Sequence, residues 1–129
     1  MSDRLSIIVT SGTREQLQMA AMVASVGAVS GQDVVVFLSM NALAYFVKGA
    51  DAAPPAEGAF GTLLDTRNAP GFKMLFESAV ELGSARIHPC SMAVDVMGCS
   101  EEQLDDFLGE PLGLTKFLDD ARLGQLLSF

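Results

Sequence analysis

The chain has 129 residues, 50% of them hydrophobic and only 19% charged, with a net charge of −8 and a pI of about 4.4. That is enough apolar material for one domain that folds without a metal or a disulfide, and the acidic balance speaks against nucleic acid or anionic membrane as a partner. So small a share of charge also predicts that more than one face is hidden, as in an oligomer.

A secretory leader is not expected, because Asp3 and Arg4 precede only a short apolar stretch with no small-residue cleavage site. Residues 5–10, "LSIIVT", are apolar and β-branched and predict a buried strand. Ser11-Gly12-Thr13 follows as a turn, and Thr13 with Gln16 has the spacing of a capping box. Residues 14–30 lack proline, are rich in Ala, Met, Leu and Gln, and predict a helix. This helix is apolar nearly all round after Gln18, as in a helix covered on two sides. Its apolar run, residues 19–29, is too short to span a membrane and is interrupted by Ser25 and Gly27. The expected location is the cytoplasm, where thiols stay reduced.

"DVVVFL", residues 33–38, predicts a second buried strand. "SMNALAYFVKG" predicts a short helix capped by Ser39 or Asn41 and stopped at Gly49. Residues 50–71 are rich in Gly, Pro and Ala and predict a long loop. Helical spacing returns over 71–83, and "ARIH", 85–88, predicts a third strand ended by Pro89. A short helix is expected from Cys90 to about Met97, then another over "EEQLDDFL" capped by Ser100. Thr115 is placed as the cap of "KFLDDAR", and "QLLSF" after Gly124 as a last strand. Continuous apolar strands alternating with helices predict one α/β domain over residues 1–129. It is a three-layer, open, mostly parallel sheet with helices on both faces, flavodoxin-like in outline. In such sheets, sites form beyond the carboxyl ends of the strands. Three turns meet there: Ser11-Gly12-Thr13, Ser39-Met40-Asn41 and Pro89-Cys90-Ser91.

The chemistry concentrates at Cys90. Helix-start amides carry partial positive charge and favour a thiolate over a thiol, and the thiolate is the nucleophile. The same amides can hold the outer sulfur of a persulfide. The competing reading is a cysteine used as a small core hydrophobe. Cys99 is a candidate second thiol that could resolve a disulfide with Cys90, and packing is the favoured reading of it. His88 lies two residues before Cys90, so a strand points both side chains to one face. It is a candidate base, or a plain strand-end histidine. One His and two Cys at an x8 spacing do not make a zinc ribbon, and no metal is expected. The Ser11-Gly12-Thr13 turn lacks the glycines and lysine of a phosphate loop but can offer amides to an anion. Asn41 and Tyr45 can reach the same cleft. Ser91 and Met92, which follow Cys90, are taken with it as binding residues. No cofactor is expected.

The opening stretch "SIIVTSGTREQLQMAAMVASVGAVSGQDVVVFLSM" and, more closely, "GFKMLFESAVELGSARIHPCSMAVDVMGCSEEQL" resemble DsrE-like proteins over nearly the whole chain. The resemblance implies an α/β sulfur-relay fold and homo-oligomers, commonly trimers or hexamers. It also implies sulfane sulfur carried as a persulfide on Cys90, with exchange to or from a TusA-like carrier or another sulfurtransferase. Ser91 stands where relatives often carry Gln, and Pro89 stiffens the turn before the cysteine. Two other functions stay open: a thiol peroxidase or redox protein using Cys90 and Cys99, and a nucleotide- or flavin-binding module without chemistry.

Overall fold

The computed structural model describes residues 3–50 and 52–129. Among these residues four strands form one sheet: β1 (Arg4–Val9), β2 (Asp33–Leu38), β3 (Arg86–Pro89) and β4 (Gly124–Ser128). All neighbours are parallel, in the order β3-β2-β1-β4. Helices α1 (Arg14–Val29), α2 (Ala59–Thr66), α3 (Phe72–Gly83), α4 (Ser91–Met97) and α5 (Leu114–Ala121) complete it. The chain steps from β1 to β2 to β3 and then returns past β1 to β4. Right-handed crossovers therefore put α1 and α3 on one face and α5 on the other.

Side chains sort accordingly. Leu5, Ile7 and Val9, with Val34, Val36 and Leu38 in register, face α1 and α3 and are buried. Val35 and Phe37 face the other way, where Phe37 stacks on Phe117 of α5 at 4.9 Å between ring centroids. β2, buried on both faces, is the strand whose apolar run is unbroken. α1 and α3 approach closely because Gly83 has no Cβ; one built there would overlap Ala28. A third cluster gathers around Phe46, whose ring meets Phe72, Phe76 and Phe107 edge-on. Each fully buried large apolar side chain adds about 1.5–3 kcal/mol.

Several sequence expectations are corrected. Residues 50–71 are not all loop, because α2 forms inside them. Its N-terminal amides have a partner the local sequence does not contain. The Glu15 carboxylate, from α1, accepts hydrogen bonds from Glu57 N, Gly58 N and Gly61 N at 2.8–3.1 Å. Thr13 stands at the N-cap of α1 but makes no capping bond; its Oγ1 donates to Glu57 Oε1 at 2.7 Å instead. The stretch after Ser39 is a 3₁₀ helix, Met40–Phe46. The "EEQLDDFL" helix shrinks to one 3₁₀ turn, Glu101–Gln103, because Leu104 leaves it to bridge Val47. Ser100 does hold that turn, its N donating to Gln103 Oε1 at 2.8 Å. α5 begins one residue before Thr115, with Gly113 as its N-cap. Among the described residues, no helix is long and apolar enough to cross a membrane.

Candidate functional site

The strand order places the topological switch between β1 and β4, where open α/β sheets commonly bind ligands. Here the chain fills it. Phe129 O accepts hydrogen bonds from Thr10 N at 2.8 Å and Ser11 N at 3.3 Å. Thr13 N donates to Ser11 Oγ, and Arg14 N to Pro55 O. Thus the amides around Ser11-Gly12-Thr13, expected as an anion cradle, are largely engaged within the chain.

The turn is packed as well as bonded. A Cβ on Gly12 would lie 2.9 Å from Asn41 Cβ and 3.3 Å from Tyr45 Cε2. The structure thus brings Gly12, Asn41 and Tyr45 together, as expected. Tyr45 also lines a hollow of about 310 Å³ with Arg14, Pro54, Asp65 and Phe72. Arg14 is buried there: it bonds Asp65 Oδ1 at 2.9 Å and Gln18 Oε1, and lies 5.7 Å from the centroid of the Phe72 ring. This polar anchor under α2 escapes a local sequence reading, since Asp65 lies 51 residues away.

Cys90 sits at the end of β3 and at the N-cap of α4. Its N donates to Leu38 O at 2.8 Å, which extends the parallel ladder by one residue. Leu112 flanks it on the other side in a parallel bridge, and Leu112 O accepts from Ser91 N at 2.8 Å. So the first amide of α4 is taken, leaving Met92 N and Ala93 N as the first-turn donors without an intrahelical acceptor. Cys90 is only 6% exposed and belongs to the core cluster. Ser91 is half-buried, and Met92 beside it is exposed.

Strand alternation puts His88 and Cys90 on the same, α5-side face, as expected from their spacing. The ring, however, is turned to a different partner. His88 Nδ1 lies 2.8 Å from Glu110 O, a carbonyl, so Nδ1 carries the proton and donates. Gly109 packs against the same ring; a Cβ there would stand 2.9 Å from Cε1. Both cysteines are free thiols, and Cys99 is half-buried. They stand at opposite ends of α4, whose seven residues rise about 10 Å in all. A disulfide needs Cα atoms within about 7 Å, so it would require α4 to unwind.

Two further features mark this sheet edge, the second of them a clustering of carboxylates already visible in the sequence. Met40, the residue after Ser39, has φ 52°, in the left-handed region that costs a non-glycine residue energy. In addition, residues 87–115 hold six carboxylates and no Lys or Arg. Lys73 and Lys48 pair with two of them, Asp105 and Asp106, both at 2.7 Å. Among the described residues, no group of three or more His, Cys, Asp and Glu side chains is arranged to hold a metal ion.

The whole chain is similar in fold to two solved proteins. One is the ychN protein from E. coli: TM-score 0.66, 16% identity, all of both chains covered. The other is a protein of unknown function, MTH1491, from Methanobacterium thermoautotrophicum: TM-score 0.58, 8% identity, 98% of each chain covered. At these identities the likeness establishes the fold, a parallel α/β sheet carried over the full length. No family model matches the chain, and no curated protein does either.

Proposed function

We propose that this protein is a sulfur carrier of the DsrE-like kind, holding sulfane sulfur on Cys90. The observation that carries the reading is the place of that cysteine. It ends a parallel strand, caps the next helix, and lies at the edge where the turns of the first two strands also meet. The sequence resemblance around Cys90 to Gly98 and the fold shared with the two solved proteins support it.

The chemistry needs no external oxidant. The Cys90 thiolate attacks the outer sulfur of a polysulfide or persulfide, RS–S⁻. A bond forms between Cys90 Sγ and that sulfur, the S–S bond of the donor breaks, and RS⁻ leaves with the electron pair. A thiolate of an acceptor protein then attacks the same outer sulfur and releases Cys90 as the thiolate. Met92 N and Ala93 N are the donors available to the outer sulfur while it is held. The acceptor in this reading is a TusA-like carrier or another sulfurtransferase. The surplus of carboxylates over residues 87–115 suits a partner with a basic face. Since Cys90 is only 6% exposed, exchange requires a segment packed beside it, such as that of Leu112, to move aside. The cell compartment in this reading is the cytoplasm.

Intact-protein mass spectrometry after incubation with polysulfide tests the proposal. Each sulfur gained adds about 32 Da. Wild type and Cys99→Ser are expected to load, and Cys90→Ser is expected not to. Equal loading of Cys90→Ser and wild type would reject it.

A further inference from the structure

The segment beside Cys90 is short and lightly held. β3 is the edge of the sheet, and residues 109–112 run along it as a strap. Three backbone bonds fasten the strap. Gly109 N donates to Ile87 O at 2.7 Å, Leu112 N to Pro89 O at 3.0 Å, and Ser91 N to Leu112 O at 2.8 Å. A fourth bond is of another kind. The His88 ring reaches sideways from β3, and its Nδ1 donates to Glu110 O at 2.8 Å, in the middle of the strap. Gly109 lets the strap close on that ring, since a Cβ there would stand 2.9 Å from Cε1.

The strap is anchored at both ends and loose between them. Before it, Asp105 pairs with Lys73 at 2.7 Å, and Asp105 N donates to Phe46 O at 2.8 Å. After it, Phe117 of α5 stacks on Phe37. Between these anchors Gly109 and Glu110 are exposed, Pro111 and Leu112 are only half-buried, and Pro111 has no N–H to give. A segment with exposed backbone bonds and few buried apolar contacts opens at far lower cost than the chain unfolds.

We propose that His88 is the latch of this strap. It acts as a positioning residue and not as a base: the bond from Nδ1 to Glu110 O holds the strap down, and when it breaks the strap swings off Cys90. The inference rests on the reading of Cys90 as the reacting thiol and adds what governs access to it. Donor and acceptor reach the sulfur while the strap is open, and the closed strap shields it between encounters. A base or a charge partner of the thiolate would have the opposite signature, because its removal slows the thiol, whereas removal of a latch speeds it.

The rate at which iodoacetamide alkylates Cys90 in the native chain is the test, with Cys99 as internal reference. His88→Ala is expected to raise the Cys90 rate about two- to tenfold, the factor that one hydrogen bond is worth, and to leave Cys99 unchanged. His88→Asn keeps an N–H donor near the place of Nδ1 and is expected to return the rate close to that of wild type. Hydrogen exchange separates a latch from a general loss of stability. In His88→Ala the amides of Ser91 and Leu112 are expected to lose protection while those of β1 and β2 keep theirs. An unchanged or slower Cys90, a His88→Asn as fast as His88→Ala, or protection lost across the whole sheet would each overturn the proposal. Should His88→Ala fail to fold, Gly109→Ala, whose Cβ presses on the ring, carries the same expectations and the same reversals. Alkylation does not depend on sulfur transfer. If Cys90 takes no sulfur from polysulfide but alkylates faster in His88→Ala, the carrier reading fails and the latch stands. If wild type loads sulfur and His88→Ala alkylates no faster, the latch fails and the carrier reading stands.

Discussion

Two strand-to-helix turns at the same sheet edge behave in opposite ways. The β1–α1 turn holds Ser11, Gly12 and Thr13, and most of the backbone around it is tied down. Its amides go to Phe129, Ser11 and Pro55, and α2 is anchored over it by Glu15 and Arg14. The β3–α4 turn holds Pro89, Cys90 and Ser91 and opens a helix whose outer residues, Met92 and Val96, stand bare. A short polar turn between an apolar strand and a helix looks the same in either place. Whether its donors are free for a ligand depends on what the rest of the chain brings to it. The closed turn is scaffolding, and the half-closed one is where the proposed sulfur exchange would take place.

The largest expected break of that contrast is Arg14→Ala. It strips a buried guanidinium from Asp65, Gln18 and the Phe72 ring. Thermal or urea unfolding should show a loss of about 2–3 kcal/mol, because charged hydrogen bonds and the packing of the side chain go together. Polysulfide loading at Cys90 should survive in the folded fraction. Next comes Gly12→Ala. Its Cβ would press on Asn41 and Tyr45, and overpacking of this kind costs about 1–3 kcal/mol. The matching change across the edge, Ser91→Ala, should leave stability nearly unchanged.

Acid should loosen the closed turn selectively. The backbone amide of Glu57, opposed by desolvation and helped by those of Gly58 and Gly61, holds the Glu15 carboxyl below its ordinary range. A carboxyl depressed in the folded state contributes its full stabilisation above its unfolded-state value. That contribution is lost as pH falls through the folded value. Hydrogen exchange should therefore show α2 losing protection below the usual carboxylate range, before the sheet does, and Glu15→Gln should show the same loss at neutral pH. The smallest effect belongs to Thr13→Val. It removes the hydroxyl that bonds Glu57 Oε1 and Ser11 Oγ at the surface and should cost about 0.5–1 kcal/mol in the same unfolding measurement.

The elements with a periodic signal were legible. β1, β2, α1 and α3 follow from unbroken apolar runs and helical spacing, and Gly98 in the left-handed region ends α4 where a glycine should. α2 was hidden because its cap comes from Glu15, more than 40 residues earlier in the chain. The helix expected over 101–108 failed because a tertiary bridge, Leu104 to Val47, outweighed local propensity. At the site, the position of Cys90 and the shared face with His88 could be read from spacing. Leu112 covering Cys90, Phe129 filling the switch point and Glu110 taking the His88 ring are contacts between distant segments, and no local pattern announces them.

In the proposed function, the Cys90 thiol takes part in exchange while the protein is folded. Time-resolved labelling of the native chain with polysulfide and with iodoacetamide, followed by peptide mapping of each cysteine, addresses it directly. Cys90 is expected to be modified by polysulfide far faster than the chain unfolds globally, in parallel with Cys99. Modification of Cys90 only at the global unfolding rate, with all native reactivity on Cys99, would contradict it and leave Cys90 as core packing.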